Sequence, residues 1–474
     1  MKRCLSPIIL VTSFIYYLIL CAKEYTWIFV SGDSGDWLAA SVAWMVPQTY
    51  GSPLYISLGR LISVFSDNLP LHMTILLSVI PAAFTVFFTY LIIRKLTSVK
   101  IALTCSAALL GSAVFLSQST VLEEYALTTM LLTGAYWFYI NEQKYLTPLF
   151  LGLGTAIHIF ILPLAFFWLL CDRRWKIWLW KPLLIYIVSG VLPYTLILIL
   201  MAADTPKFLA GYLNLQSVLD YWTMTSRAIV GQLSLFEAPE RFWFFVRLTC
   251  MSFGLALLPI FVSLRKPITR NMLVLISICL FTFWYVITNL DINAWTFLTF
   301  TTPSLVILCG IGLSRLRGWH TIAIAGSAII LIITNSIFLN ANTLSQQNPQ
   351  AMTYYNELHA LPKNSTVVTS PGARSLGLFY VINEGRDLIP LIYPYLDKWN
   401  FTDYGRYLNE RYGVNWADTL EGVQDTLAKN RQAYFVYDIS SPLVDCFTLE
   451  GEGSVREIKA LTGTLPKEDF KWIK

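Results

Sequence analysis

Charge is the scarcest material in this chain: 13% of its 474 residues are Asp, Glu, Lys or Arg, where a soluble domain carries about 25%. That deficit excludes a water-soluble enzyme, a disordered chain and a nucleic-acid binder. Paired cysteines are also lacking. The eight cysteines form no C-x-x-C spacing, and most sit inside apolar runs (Cys21, Cys105, Cys250, Cys279, Cys309), so neither a zinc site nor a disulfide framework is indicated. Solenoid repeats and low-complexity segments are absent. What is present is apolar bulk: 55% of the chain is hydrophobic and 15% of the chain is aromatic, with a mean hydropathy of +0.57. The class is a polytopic α-helical membrane protein. Its formal charge of +5 arises from 34 basic and 29 acidic residues, and in a membrane their placement outweighs their sum.

A helix needs about 20 apolar residues to cross the hydrocarbon layer. Such runs occur at 5–22, 73–93, 101–118, 125–141, 182–202, 242–263, 272–290, 295–314 and 320–338. The first reads as a retained span, because more spans follow and no small-residue cleavage site intervenes. The segment 146–170 contains Gly152, Gly154 and His158 in its middle and has basic residues at both ends (Lys144; Arg173, Arg174, Lys176). Two short helices meeting at His158 keep both basic ends on the cytoplasmic side, which gives about 11 crossings.

With the N-terminus cytoplasmic, the short inside segments collect 15 basic residues, from Lys2 to Arg317, against the two acids Glu142 and Asp172. The segments expected outside are 23–72, 119–124, 203–241 and 291–294. An odd span count places the tail outside as well. Residues 1–339 are then a transmembrane domain, and 340–474 a small extracytoplasmic α/β domain. Its β-rich runs are Thr366-Val367-Val368 and Tyr434-Phe435-Val436-Tyr437, with helix-like stretches near 372–383, 403–412 and 417–429. Asn364-Ser365-Thr366 and Asn400-Phe401-Thr402 are glycosylation sequons, a pattern that chance also supplies.

The long first outside segment carries Asp33 and Asp36 beside Gly32 and Gly35. If Asp33-Ser34 caps a helix that Trp37 begins, Asp36 falls in its first turn on the side of Asp33. Two such carboxylates suit deprotonating a hydroxyl, holding a divalent cation, or both. The same spacing also suits an ordinary N-cap with a dipole-favoured second acid. The stretch Trp37–Phe65 reads as helices along the membrane surface, broken at Pro47, Gly51 and Pro53. Within it Arg60 is either an anion-binding group or a snorkelling side chain.

Glu123 and Glu124 open the next span. Adjacent acids at a helix start are usually solvated dipole partners, but one turned inward would join the aspartates. His158, at the expected hairpin tip, is a protonatable group at the hydrocarbon boundary and a functional candidate on that ground, able to pair with a phosphate as imidazolium. Arg227, in a second interfacial segment, and Asp291, in a brief turn before a span, complete the set. Together Asp33, Asp36, Glu123, His158, Arg227 and Asp291 fall on one side of the membrane near span ends. Acids with a few cations beside apolar grooves suit a lipid-linked substrate. A transporter or flippase would instead carry acids buried mid-span or paired broken helices in related halves.

These residues carry a family resemblance. Asp33-Ser34-Gly35-Asp36, then Gly51-Ser52-Pro53-Leu54-Tyr55 and Leu58-Gly59-Arg60-Leu61, resemble the opening of a protein O-mannosyltransferase-like membrane family, which runs D-S-G-E/D, H-P-P-G-x-P-L-Y and L-G-R-L. Glu123-Glu124-Tyr125-Ala126-Leu127 is similar to its E-x-Y-A-L. Gly152 with His158 is similar to its G-x-x-x-x-x-H, and Gly190-Val191-Leu192-Pro193-Tyr194 to its G-L-L-P-Y. Where the family has H-P-P-G, this chain has Val46-Pro47-Gln48-Thr49-Tyr50-Gly51, without the histidine. The likeness covers about 1–315.

The resemblance implies a GT-C glycosyltransferase fold. It implies transfer of a hexose, mannose-like, from a polyprenyl-phosphate donor to a protein, glycan or lipid hydroxyl. It places that reaction on the extracytoplasmic or lumenal side of a plasma or ER-type membrane. Asp33 is then the expected base, and Asp36 orients the acceptor or a divalent cation. Glu123 and Asp291 bind substrate, and Arg60, His158 and Arg227 are phosphate candidates. The altered H-P-P-G region keeps open a scaffold that has lost activity.

Overall fold

The computed structural model describes residues 5–22, 34–44, 52–171, 180–204, 238–265, 268–288 and 294–338, and in the tail 357–358, 360–362, 365–369, 388–392, 419–429, 431–436, 444–453 and 455–462. Among these, five helices are long and apolar enough to cross a membrane: Leu69–Leu96, Trp180–Met201, Val246–Leu264, Trp295–Leu313 and Gly318–Phe338. A bent pair makes a sixth, and the apolar helices Leu5–Cys21, Leu146–Ile157 and Arg270–Val286 are shorter. The chain is an integral membrane protein. Helix Leu298–Leu313 is apolar around its whole circumference and buried on nearly every side, as a bundle's central helix must be. It packs on the helices Ile80–Leu96, Val99–Leu110, Tyr125–Ile140, Leu258–Leu264 and Arg270–Thr288. The outer helices instead expose rows of isoleucine and leucine, such as Ile322, Ile329, Ile333 and Ile337, or Leu184, Val188 and Leu192. Such faces fit lipid.

Two expected straight spans are broken. The run 101–118 is a helix Val99–Leu110 followed by Ala113–Ser119 at an angle of 66°. Gly111 sits at the break because helix Gly318–Phe338 crosses there, and a Cβ at Gly111 would lie 2.8 Å from the Ile332 nitrogen. A break frees backbone groups that lipid cannot satisfy. Here Asn335 Nδ2 donates to the Gly111 carbonyl (2.6 Å), and the Val114 N–H donates to Ser252 Oγ (3.2 Å). The run 242–263 changes to a 3-10 turn at Gly254–Leu257, where Gly254 has φ +50. Asn335 also reaches the Met251 carbonyl (3.3 Å), and Ser327 Oγ accepts from the Leu255 N–H (3.4 Å). One helix thus mends both interruptions. The break that was expected, at His158, does occur between Leu146–Ile157 and Ile161–Cys171.

Helix Leu146–Ile157 lies tight against the segment 180–204, which widens into a π-turn at Ile187–Val191. A Cβ at Gly190 would sit 2.6 Å from the Gly152 carbonyl oxygen. Backbone blocks that position, so Gly190→Ala should destabilise the protein by about 2–3 kcal/mol, seen as a lowered thermal midpoint in detergent. An unchanged midpoint would mean the two helices do not approach this closely.

The tail forms a five-stranded sheet in the order β2-β1-β3-β5-β4, from β1 (Ser365–Thr369), β2 (Leu388–Ile392), β3 (Ala433–Val436), β4 (Phe447–Glu450) and β5 (Val455–Leu461). β1 pairs in parallel with β2 and β3, while β5 runs antiparallel to β3 and β4. Val368, Val423, Phe435, Phe447 and Ile458 make its core, with helix Thr419–Ala428 contacting the first three strands. Leu358 and Val367 are continuous with the apolar cluster of the helical region. The strands at 366–368 and 434–437 and the helix at 417–429 occur close to where the pattern placed them. The stretches 372–383 and 403–412 lie outside the described residues.

Candidate active site

The site is built where three segments meet. Helix Ser34–Ala43 begins at Ser34, not at Trp37, so Ser34 is the first helical residue and its hydroxyl makes tertiary bonds. It donates to the Leu122 carbonyl (2.8 Å) and to Glu123 Oε1 (3.3 Å). Three residues on, Trp37 Nε1 donates to Glu123 Oε2 (3.2 Å). Asp36 occupies the third position of the same helix, in the turn that these bonds hold. The third segment is the π-turn Ile75–Val79. Its Ser78 hydroxyl donates to the Glu123 carbonyl (3.3 Å). An inserted π-turn commonly marks a functional position, and no sequence pattern announced this one.

Both glutamates are buried, Glu123 at 1% and Glu124 at 3% exposure. The ordinary arrangement of solvated dipole partners is therefore not the one adopted. Their roles differ. Both carboxylate oxygens of Glu123 accept from helix Ser34–Ala43, which makes it the anchor of that helix. Glu124 reaches a further group: its Oε1 lies 3.7 Å from His158 Nε2, while Trp37 and Glu123 also bond to its carboxyl. Sequence reasoning named Glu123 as a substrate ligand and expected at most one of the two acids to turn inward; the structure buries both.

His158 is held by its backbone surroundings. The Phe160 N–H donates to Nδ1 (3.2 Å), so the neutral ring carries its proton on Nε2, directed at Glu124. The rings of Phe297, Phe300, Tyr125 and Phe160 enclose it at 5.3, 5.7, 5.8 and 6.2 Å. Burial in this aromatic box pushes the His158 pKa down to about 3. Burial likewise pushes the Glu124 carboxyl up to about 7, against the lowering effect of its hydrogen bonds. Low dielectric disfavours both charges, so the resting pair is a neutral imidazole beside a carboxyl poised to titrate near neutrality.

Tyr55, in helix Pro53–Ser63, closes the site from the side of Trp37, with ring centroids 5.9 Å apart in an edge-on contact. Arg60, on the same helix, points elsewhere. Its guanidinium donates to the Val42 carbonyl, at the far end of helix Ser34–Ala43, about 12 Å along the axis from Ser34. Asp33, Arg227 and Asp291 lie outside the described residues, as does the side chain of Asp36. Among the described residues no three His, Cys, Asp or Glu side chains converge as a metal site would require.

No family model matches the chain, and no curated protein does either. Solved structures do. The crystal structure of ArnT from Cupriavidus metallidurans bound to undecaprenyl phosphate superposes with a TM-score of 0.67 at 11% identity, over 96% of this chain and 98% of that one. Apo ArnT from the same organism gives 0.60 at 10% identity, over 95% and 96%. An Archaeoglobus fulgidus oligosaccharyltransferase is a looser likeness, with a TM-score of 0.46 at 13% identity, over 90% and 67%. With nearly full coverage of both chains, the architecture described above is the fold that ArnT has.

Proposed function

We propose that this chain is a glycosyltransferase that moves a hexose, mannose-like, from a polyprenyl-phosphate donor to an acceptor hydroxyl. The acceptor is a protein, glycan or lipid on the extracytoplasmic or lumenal face. The observation that carries the reading is the bonding of Glu123 to Ser34 and Trp37. It joins the buried acidic segment 123–124 to the helix turn that bears Asp36. The likeness to a fold that binds undecaprenyl phosphate in ArnT supports the donor class. The N-terminus is cytoplasmic in this reading, with about 11 crossings and the α/β domain outside.

The chemistry needs little from the enzyme beyond proton acceptance and charge placement. The acceptor oxygen attacks the anomeric carbon, and the carbon–phosphate oxygen bond breaks with its electron pair leaving on a stable phosphate. The acceptor proton passes to a carboxylate. Asp33 takes that role, with Asp36 orienting the acceptor, and Glu124 adds a second carboxylate in a dry setting. Arg227 and Asp291 are assigned to phosphate and substrate contacts, respectively. Asp33 and Asp36 are the residues that would hold a divalent cation. The described residues alone do not make such a site, so no step is routed through a metal.

The test is transfer of label from a radiolabelled polyprenyl-phosphate hexose, with wild type set against Asp33→Asn. The variant should lose about 10²-fold in transfer. Transfer that survives it removes Asp33 from the mechanism. Flux of the lipid without transfer would point to a flippase, and donor binding without either would point to an inactive scaffold.

A further inference from the structure

We infer that Leu61, Val64 and Phe65 form an apolar tip seated in the lipid bilayer, among the upper acyl chains on the side of the membrane that holds the candidate site. The inference stands apart from the glycosyltransferase reading and does not need it.

Helix Pro53–Ser63 has two unlike faces. One is closed by helix Ser34–Ala43 and by the start of helix Leu69–Leu96: a Cβ at Gly59 would lie 2.1 Å from Ser41 Oγ and 2.6 Å from Met73 Cε. On the helix's free side Leu61, Val64 and Phe65 fall at i, i+3 and i+4, a spacing that gathers them on one flank. The helical path holds through them, since the Phe65 N–H donates to the Ile62 carbonyl (3.0 Å). They are 59%, 66% and 82% exposed. Polar residues follow at once. Ser66 Oγ and His72 Nδ1 share a hydrogen bond (2.7 Å), Asp67 is exposed, and Asn68 Oδ1 accepts from the Leu71 N–H (3.3 Å). A large apolar group rimmed by polar ones marks an interaction surface.

The next helix fixes the depth of this tip. Helix Leu69–Leu96 has 28 residues, about 42 Å at 1.5 Å per residue, against a hydrocarbon core of about 30 Å. Arg94 and Lys95 lie in its last turn and belong at one boundary of that core. About 20 residues back from them, near Thr74, the core ends on the other side. Leu69–Thr74 is then at headgroup depth, and so is the turn that leads into it. Helix Pro53–Ser63 also packs on helix Leu192–Asp204, whose Leu196, Ile199 and Leu200 are exposed to lipid. The tip therefore extends a surface that lipid already covers. A protein partner fits less well, because three side chains by themselves fall far short of the about 800 Å² per partner that a stable interface buries. Acyl chains demand no matched shape, and apolar side chains at this depth sink about 5–10 Å into them.

The test places a nitroxide at Phe65→Cys, with Asp67→Cys as the polar comparison, on the full chain in nanodiscs of phosphatidylcholine and phosphatidylglycerol. The signal of the native cysteines, taken from the unsubstituted chain, is subtracted. Collisions are read against oxygen, which concentrates among acyl chains, and against a water-soluble nickel chelate. The oxygen-to-nickel ratio should be severalfold higher at position 65 than at position 67. Val64→Cys should match Phe65→Cys, and it carries the test if a lowered thermal midpoint shows the Phe65 variant to be misfolded. Equal access of nickel to the tip and to position 67 puts the tip in water and overturns the inference. A label at the tip shielded from both reagents reveals a protein partner or a second copy of the chain, and overturns it as well. Neither readout involves sugar transfer, so the glycosyltransferase reading stands or falls separately.

Discussion

Glu124→Gln should lower hexose transfer by about 10²–10³-fold, within the range that a positioned carboxylate supplies. The substitution keeps shape and volume but removes the negative charge. The pH dependence is the sharper measurement. Burial holds the Glu124 carboxyl protonated until about pH 7, and the protonated form lacks the negative charge that this second carboxylate adds beside the Asp33 base. For an acid whose pKa is raised, the working carboxylate gains population as pH rises. Wild-type kcat/KM should therefore climb through about pH 7 and level off above it, and Glu124→Gln should lose that limb. His158 cannot supply the same limb, because its pKa lies at about 3. A wild-type profile that falls as pH rises through 7 would make the protonated acid the working form and defeat the prediction.

Glu123→Ala should cost stability and activity together. Removing the carboxylate takes away the acceptor that the Trp37 indole N–H bonds at 3.2 Å and one acceptor of the Ser34 hydroxyl. Hydrogen bonds to a charged group contribute about 1.5–3 kcal/mol each. A loss of about 3 kcal/mol is expected, read as a lower thermal midpoint in nanodiscs. Because the helix turn bearing Asp36 is released, transfer should fall by about 10²-fold even well below the midpoint. Glu123→Gln retains one acceptor oxygen and should fall between wild type and Ala. If Glu123→Ala unfolds less and transfers normally, the anchor is only one of several, and the acidic segment does not depend on it.

Much of this was legible before any coordinates. The apolar runs mark the helices to within a few residues, because a lipid environment demands about 20 apolar residues whatever the partners. The break at His158 followed from the glycines before it and from basic residues at both ends. The breaks at Gly111 and Gly254 were not legible. Both runs are largely apolar, and their cause lies 70 or more residues away in Ser327 and Asn335. Glu123 and Glu124 stood out as acids in an apolar chain, yet adjacent residues on a helix start point in different directions. Only the position of helix Ser34–Ala43 decides which is anchored.

The sequence by itself determined that the protein lives in a membrane, roughly where its helices run, and that its acids gather near their ends. Those are consequences of composition and charge order along the chain, which solvent reads locally. Tertiary structure alone decided that Glu123 is tied up by Ser34 and Trp37, that Glu124 lies buried beside His158, and that Arg60 serves a helix end. Those depend on contacts between segments far apart in the chain, and burial there sets which groups carry charge.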